Sequence, residues 1–259
     1  MTSPQHLTVL TGASRGMGLA MARQLLAPGR TLLCVSRHEN TALADEARAR
    51  GATLIQWRQD LADTRGARQR LHDWLAAQAP ALVLSATLIN NAGAIPRIGP
   101  LGEVPADDLA LALRAGLEAP MQLTAAFLAA TTAWVAGGWR GPRRVLNVSS
   151  GLGRRPMASQ ATYCAAKAGM DHFTRCVALE EARQPYGARL VSLAPGVIDT
   201  DMQVQLRSGD PAAFPDRQRF VDLKAHHQLS TPDEAARLVL AWLDRPDFGD
   251  EPVADVRQA

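Results

Sequence analysis

The sequence predicts a single α/β domain spanning residues 1–259, with a doubly wound parallel sheet and helices on both faces. Three observations carry this expectation. Short apolar runs of strand length alternate with helix-periodic segments, the pattern of a parallel sheet covered on both sides. A glycine-rich segment, Thr11-Gly-Ala-Ser-Arg-Gly-Met-Gly18, follows the first apolar run and opens a helical pattern. The chain of 259 residues, 47% hydrophobic and 20% charged, has the size and composition to bury a full core as one unit.

Leu7 to Leu10 is the first strand candidate, and the helical pattern after the glycines runs from Leu19 to Leu26 and stops at Pro28-Gly29. Thr31 to Val35 is a second apolar strand, so residues 7–35 form a strand–helix–strand unit of βαβ type. The alternation then repeats: helix over Thr41–Arg50, strand over Thr53–Trp57, helix over Asp63–Gln78, strand over Ala86–Ile89. One long helix is expected from Pro105 to about Val135, then a strand at Arg144–Val148, a helix at Ser159–Arg183 and a strand at Arg189–Leu193. Regularity fails over 199–228, where Met202, Leu206, Phe214 and Phe220 are scattered among Asp, Arg and Pro; this segment is read as short helices forming a substrate lid. Thr231-Pro-Asp-Glu234 is a helix start, with Thr as N-cap, Pro in the first position and acids in the first turn. Val253 to Val256 is expected as a last strand at a sheet edge, because Pro252 precedes it.

Composition excludes several classes. No apolar run approaches the roughly 18–20 residues of a membrane span, and Met1 to His6 has no secretory pattern. Cys34, Cys164 and Cys176 show neither paired nor metal-ligand spacing, so free thiols, no metal and a cytoplasmic location are expected. The net charge of +3 comes from dispersed arginines, which argues against nucleic acid and allows an anionic ligand.

The glycine segment sits between strand and helix, where glycines let backbone approach a pyrophosphate and the helix N-terminus favours its charge. A parallel sheet of this kind binds ligands beyond the carboxyl ends of its strands. The second chemical signal is Ser150, at a strand end, followed by Tyr163 and Lys167, which share one helical face. An ammonium about 4 Å from a phenol favours the phenolate by roughly 4 kcal/mol at an effective dielectric near 20. Lys167 is therefore expected to pull Tyr163 towards neutrality and make it a proton donor to a developing alkoxide.

Thr11-Gly-x-x-x-Gly-x-Gly18, Asn90-Asn-Ala-Gly93, Ser150, Tyr163-x-x-x-Lys167 and Pro195-Gly196 together resemble the short-chain dehydrogenase/reductase family, over about residues 7 to 200. In finer detail Tyr163-Cys-Ala-Ala-Lys-Ala168 and Ala194 to Met202 look like the sepiapterin reductase and benzil reductase branch. The resemblance implies a Rossmann-like fold and a reductase moving hydride from NADPH to a ketone, an α-diketone or a pterin side-chain carbonyl. It implies that Ser150 hydrogen-bonds the substrate carbonyl, Tyr163 donates the proton, and Lys167 holds the nicotinamide ribose. Cofactor contacts are implied for Gly12, Ser14, Arg15, Gly16, Met17 and Gly18, for Asp60-Leu61, for Asn91-Ala92-Gly93, and for Pro195, Gly196 and Ile198, besides Tyr163 and Lys167. A homodimer or homotetramer pairing through the helices near 105–135 and 159–183 is implied as well. A non-catalytic NADPH-binding protein and an alcohol dehydrogenase working oxidatively remain alternatives.

Cofactor choice follows from charge. The second strand ends Cys34-Val-Ser36-Arg37 without the acid that would bind both ribose hydroxyls, and Arg15 lies in the glycine loop. Two guanidinium groups there suit a 2′-phosphate, hence NADPH over NADH. One departure stands out: where the family places a helical asparagine in the proton relay, this chain has Gly116. His226 and His227 have no third ligand at sensible spacing and are read as exposed. Trp134 and Trp139 are expected to pack or meet a second subunit, Cys164 points away from the site, and Arg154 and Arg155 are read either as contacts to an anionic substrate or as solvated.

Overall fold

Strand β1 (Gln5–Thr11) is apolar through its middle, and Leu7, Val9 and Leu10 are fully buried. The computed structural model describes residues 4–258, so Met1-Thr-Ser3 and Ala259 lie outside it. The remaining strands are β2 (Arg30–Ser36), β3 (Thr53–Arg58), β4 (Val83–Asn90), β5 (Arg143–Val148), β6 (Arg189–Ala194) and β7 (Val253–Asp255). They form one sheet in the order β3-β2-β1-β4-β5-β6-β7, with every neighbouring pair parallel. The winding direction reverses between β1 and β4, which opens a crevice at their carboxyl ends. The short β7 lies at the edge, as Pro252 requires.

Side chains alternate across the sheet with period two. Leu10, Cys34, Ile89, Leu146 and Val191 face one core with α1 (Gly16–Leu25), α2 (Thr41–Ala49) and α9 (Pro232–Leu243). Val9, Leu33, Leu88, Val145 and Leu190 face the other with α3 (Thr64–Ala76), α5 (Ala119–Ala136) and α6 (Ala161–Glu181). Helix starts follow local chemistry. Asn40 accepts from the Leu43 N–H, Asp63 accepts from the Gly66 N–H, and Thr231 with Glu234 closes a full capping box on α9.

The long helix expected from Pro105 to Val135 is interrupted. It divides into α4 (Ala106–Leu113), a π turn over Arg114–Glu118, and α5. Pro120 explains the break: it has no N–H for the Gly116 carbonyl, and its ring would collide with that carbonyl in a regular α-helix. The chain widens to i→i+5 bonding, as in Ala119 N–H to the Arg114 carbonyl, and resumes as α5.

Within 199–228 lie α7 (Asp201–Arg207) and α8 (Arg217–Ala225). Leu206, Phe214 and Phe220 form a small core of their own, with Ile95, Ile98, Met157 and Met202 against it. Trp134 and Trp139 pack edge to face in the core, ring centres 5.5 Å apart, and the Trp139 indole donates to the Val83 carbonyl at 2.6 Å. Among the described residues no helix is long and apolar enough to cross a membrane, and no cluster of His, Cys, Asp or Glu is arranged to hold a metal ion.

Candidate functional site

A cleft of about 950 Å³ lies beyond the carboxyl ends of β1, β4, β5 and β6. Every residue singled out above as a catalytic or cofactor-contact candidate borders it, from Gly12 to Ile198. At one end the glycine loop turns from β1 into α1. Gly12 has φ +70°, and a Cβ on it would stand 2.9 Å from the Ala92 Cα. A Cβ on Gly18 would come within 2.0 Å of the Gly12 carbonyl oxygen, so the two glycines let backbone pack on backbone.

The loop is pinned to β4 by a clamp that spacing alone does not reveal. The Thr11 hydroxyl accepts from the Asn91 and Ala92 N–H groups at 2.9 and 3.0 Å. The Asn91 amide donates to the Thr11 and Gly12 carbonyls at 3.0 and 3.3 Å. Its side chain thus shapes the floor of the cleft. From β2, Ser36 accepts the Ala13 N–H at 2.8 Å, which fixes the loop to the next strand. Asp60 accepts the Ala62 N–H at 2.9 Å, and Leu61 is buried beside it.

The two arginines expected at the 2′-phosphate differ. Arg15 is engaged: its guanidinium donates to Asp201 on α7 at 2.5 Å, with both side chains exposed, so the pair joins the glycine loop to the segment above the cleft. Arg37 borders the cleft with no ion-pair partner among the described residues. Two free guanidinium groups are therefore not what the fold presents; Asp201 has taken one of them.

At the other end, β5 delivers Ser150 into a short turn, where its hydroxyl accepts the Leu152 N–H at 3.2 Å. Tyr163 and Lys167 stand one turn apart on α6, and both are buried. The Lys167 ammonium donates to the Val148 carbonyl at 2.7 Å and lies 5.8 Å from the centre of the Tyr163 ring. A Cβ on Gly93 would stand 3.9 Å from Lys167 Nζ, so glycine there leaves the amine room.

The electrostatics correct the sequence expectation. Burial pushes the Tyr163 phenol above its usual range, opposed by hydrogen bonding to the Ser150 hydroxyl. The physical reason is shared desolvation: burial also brings the Lys167 amine down to about 8, partly offset by the Asp171 carboxylate. In this structure Tyr163 is a protonated phenol held next to an amine that loses its charge only above neutrality.

Arg154 is no candidate for substrate. Its guanidinium donates to Asp171 Oδ2 at 3.1 Å and to the Ala254 carbonyl at 2.8 Å, whereas Arg155 borders the cleft. Gly116 is buried in the π turn, where a Cβ would meet Ala166 of α6 at 3.4 Å. His226 and His227 are exposed, and Cys164 lies outside the cleft lining.

Comparison with known proteins places these features in context. The family model described as short chain dehydrogenase matches residues 6–211. Benzil reductase ((S)-benzoin forming) of Bacillus cereus is 34% identical over 240 residues, covering 93% of this chain and 94% of that protein. Sepiapterin reductase of Xenopus tropicalis is 35% identical over 256 residues, covering 92% and 91%. Among solved structures, a metagenomic short-chain oxidoreductase in complex with NADP is 25% identical with a TM-score of 0.71, covering 97% and 95%.

Proposed function

Since the chain belongs to the short chain dehydrogenase family, we propose that it is an NADPH-dependent carbonyl reductase acting on a ketone, an α-diketone or a pterin side-chain carbonyl. The observation that carries this reading is a single cleft with the glycine loop at one end and Ser150, Tyr163 and Lys167 at the other. Its similarity to benzil and sepiapterin reductases supports a small carbonyl substrate.

The residues present fit a dinucleotide. The close backbone approach at Gly12 and Gly18 leaves space and N–H groups for a pyrophosphate at the start of α1. Arg37 and the lack of an acid at the end of β2 favour a 2′-phosphate over free ribose hydroxyls. Gly93, Pro195, Gly196 and Ile198 would border the nicotinamide half, with Lys167 at its ribose. When bound, the reduced nicotinamide supplies the hydride that adds to the carbonyl carbon.

The chain's own residues handle the oxygen. Ser150 donates a hydrogen bond to the carbonyl oxygen and fixes its direction. Tyr163, kept protonated by burial, passes its phenolic proton to that oxygen as charge develops there. The Lys167 ammonium stabilises the phenolate left behind, a role it can fill below its own value of about 8. The apolar core of Leu206, Phe214 and Phe220 holds α7 and α8 above the cleft as a lid that excludes water. Met121 on α5 and Leu179 on α6 are exposed and support pairing of copies through these helices.

A screen of aromatic ketones, α-diketones and pterins for NADPH oxidation tests the proposal. Turnover of at least one class is expected. Tight NADPH binding with no turnover across the panel would leave a non-catalytic binding protein instead.

A further inference from the structure

Asp171 is the least expected member of the site's surroundings. It lies on α6 one turn beyond Lys167, is 2% exposed, and carries three donors. The Ser149 and Ser192 hydroxyls donate to its Oδ1 at 2.6 and 2.7 Å, and Arg154 donates to Oδ2 at 3.1 Å. The register is suggestive. Val148 ends β5 and accepts from Lys167, and the next residue, Ser149, donates to Asp171, so two adjacent residues at the strand end meet two helix residues one turn apart. A purely structural pin needs no second buried charge on the same face of the helix.

We propose that Asp171 is a positioning residue for Lys167: through Ser149 it fixes the strand-end carbonyl that anchors the buried amine, and it sets its carboxylate one helical turn from that amine on the same side of α6. This rests on the reading of Lys167 as a working group of a carbonyl reductase. Burial brings Lys167 down to about 8, and the negative charge of Asp171 opposes it. The groups facing this pair are few. Tyr163 belongs to α6 itself, Arg154 comes from the turn after β5, and the chain just past β5 and strand β6 present the neutral Ser149, Ser150 and Ser192. The π turn presents Gly116, with Arg114 and Glu118 exposed, and β7 contributes Asp255, which is paired chiefly with Arg257 and more weakly with Arg154. Arg154 holds Oδ2 of the Asp171 carboxylate, while Ser149 and Ser192 hold Oδ1.

The test uses the composition of the chain. Only Lys167 and Lys224 are lysines, so side-chain ¹³C-labelled lysine in the full chain gives two NMR signals, and Lys224→Arg assigns them. Asp171→Asn is expected to move the Lys167 titration midpoint to lower pH by about one unit or more. Arg154→Met, which frees the carboxylate, is expected to move it to higher pH. A midpoint unchanged in Asp171→Asn, or both variants moving in the same direction, overturns the proposal. Should Asp171→Asn fail to fold, the Arg154→Met shift decides alone: upward supports the proposal, and no change or a downward shift refutes it. The titration needs no substrate. An inactive parent protein would thus count against the carbonyl reductase reading and leave this one standing on its own result.

Discussion

Replacing Arg37 by aspartate reverses a charge that borders the cleft with no ion-pair partner among the described residues, where the proposed function puts the 2′-phosphate. At roughly 5 Å in a water-like dielectric, a pair of unit charges is worth about 0.8 kcal/mol. Reversing the side-chain charge against a phosphate of about −1.5 to −2 changes the interaction by roughly 2.5–3.3 kcal/mol. Screening over a Debye length of about 8 Å removes somewhat under half of that. A net of about 1.3–1.8 kcal/mol remains, or about a 10- to 20-fold loss in kcat/KM for NADPH relative to NADH. Arg15→Ala is expected to change the ratio less, because Asp201 already holds that guanidinium at 2.5 Å. Steady-state kinetics with both cofactors measures each ratio. An Arg37→Asp protein with the parent preference, or a larger effect from Arg15→Ala, would refute the reasoning.

Other consequences concern stability and packing. Arg143 and Glu181 form a buried ion pair, 1% and 10% exposed, with Glu181 also accepting the Ala188 N–H. Glu181→Ala strands a buried guanidinium and is expected to cost about 3–5 kcal/mol, a fall in Tm on the order of 10 °C by calorimetry. Burial pushes the Cys34 thiol up to about 12 from 9.0. Its folded value lies above the unfolded one, so its contribution is full below pH 9 and lost as pH rises towards 12. Cys34→Ala should therefore remove about 1.4 kcal/mol of alkaline destabilisation per pH unit above 9, read from urea unfolding of both proteins at pH 8 and pH 10.5. Gly18→Ala puts a Cβ 2.0 Å from the Gly12 carbonyl oxygen, and at least a tenfold loss of NADPH affinity is expected in a fluorescence titration.

The alternation of apolar runs and helical patterns was enough to read the sheet and its covering helices, because the inner strands are buried on both faces and advertise themselves as apolar runs, and the half-buried edge strand β3 keeps enough of the pattern in Leu54, Ile55 and Trp57. Spacing also brought the residues of the cleft together, since motifs at strand ends converge wherever a parallel sheet reverses direction. Features that depend on contacts between distant residues were not legible. Nothing in sequence marks the Thr11 hydroxyl as partner to Asn91 and Ala92, or Arg154 as partner to Asp171. The π turn has a local cause in Pro120, whose ring opposes the carbonyl of Gly116 four residues earlier. The direction of the Tyr163 shift failed for a further reason: helical spacing gives the proximity of two groups but not the water that both lose.

The central claim is that Tyr163 delivers the proton in carbonyl reduction. The most direct measurement compares parent and Tyr163→Phe proteins for NADPH-dependent reduction of the best carbonyl from the screen, with NADPH affinity determined in parallel. Loss of the phenolic proton is expected to lower kcat/KM about 10²- to 10⁴-fold with cofactor binding retained. Full reductase activity in Tyr163→Phe would contradict it.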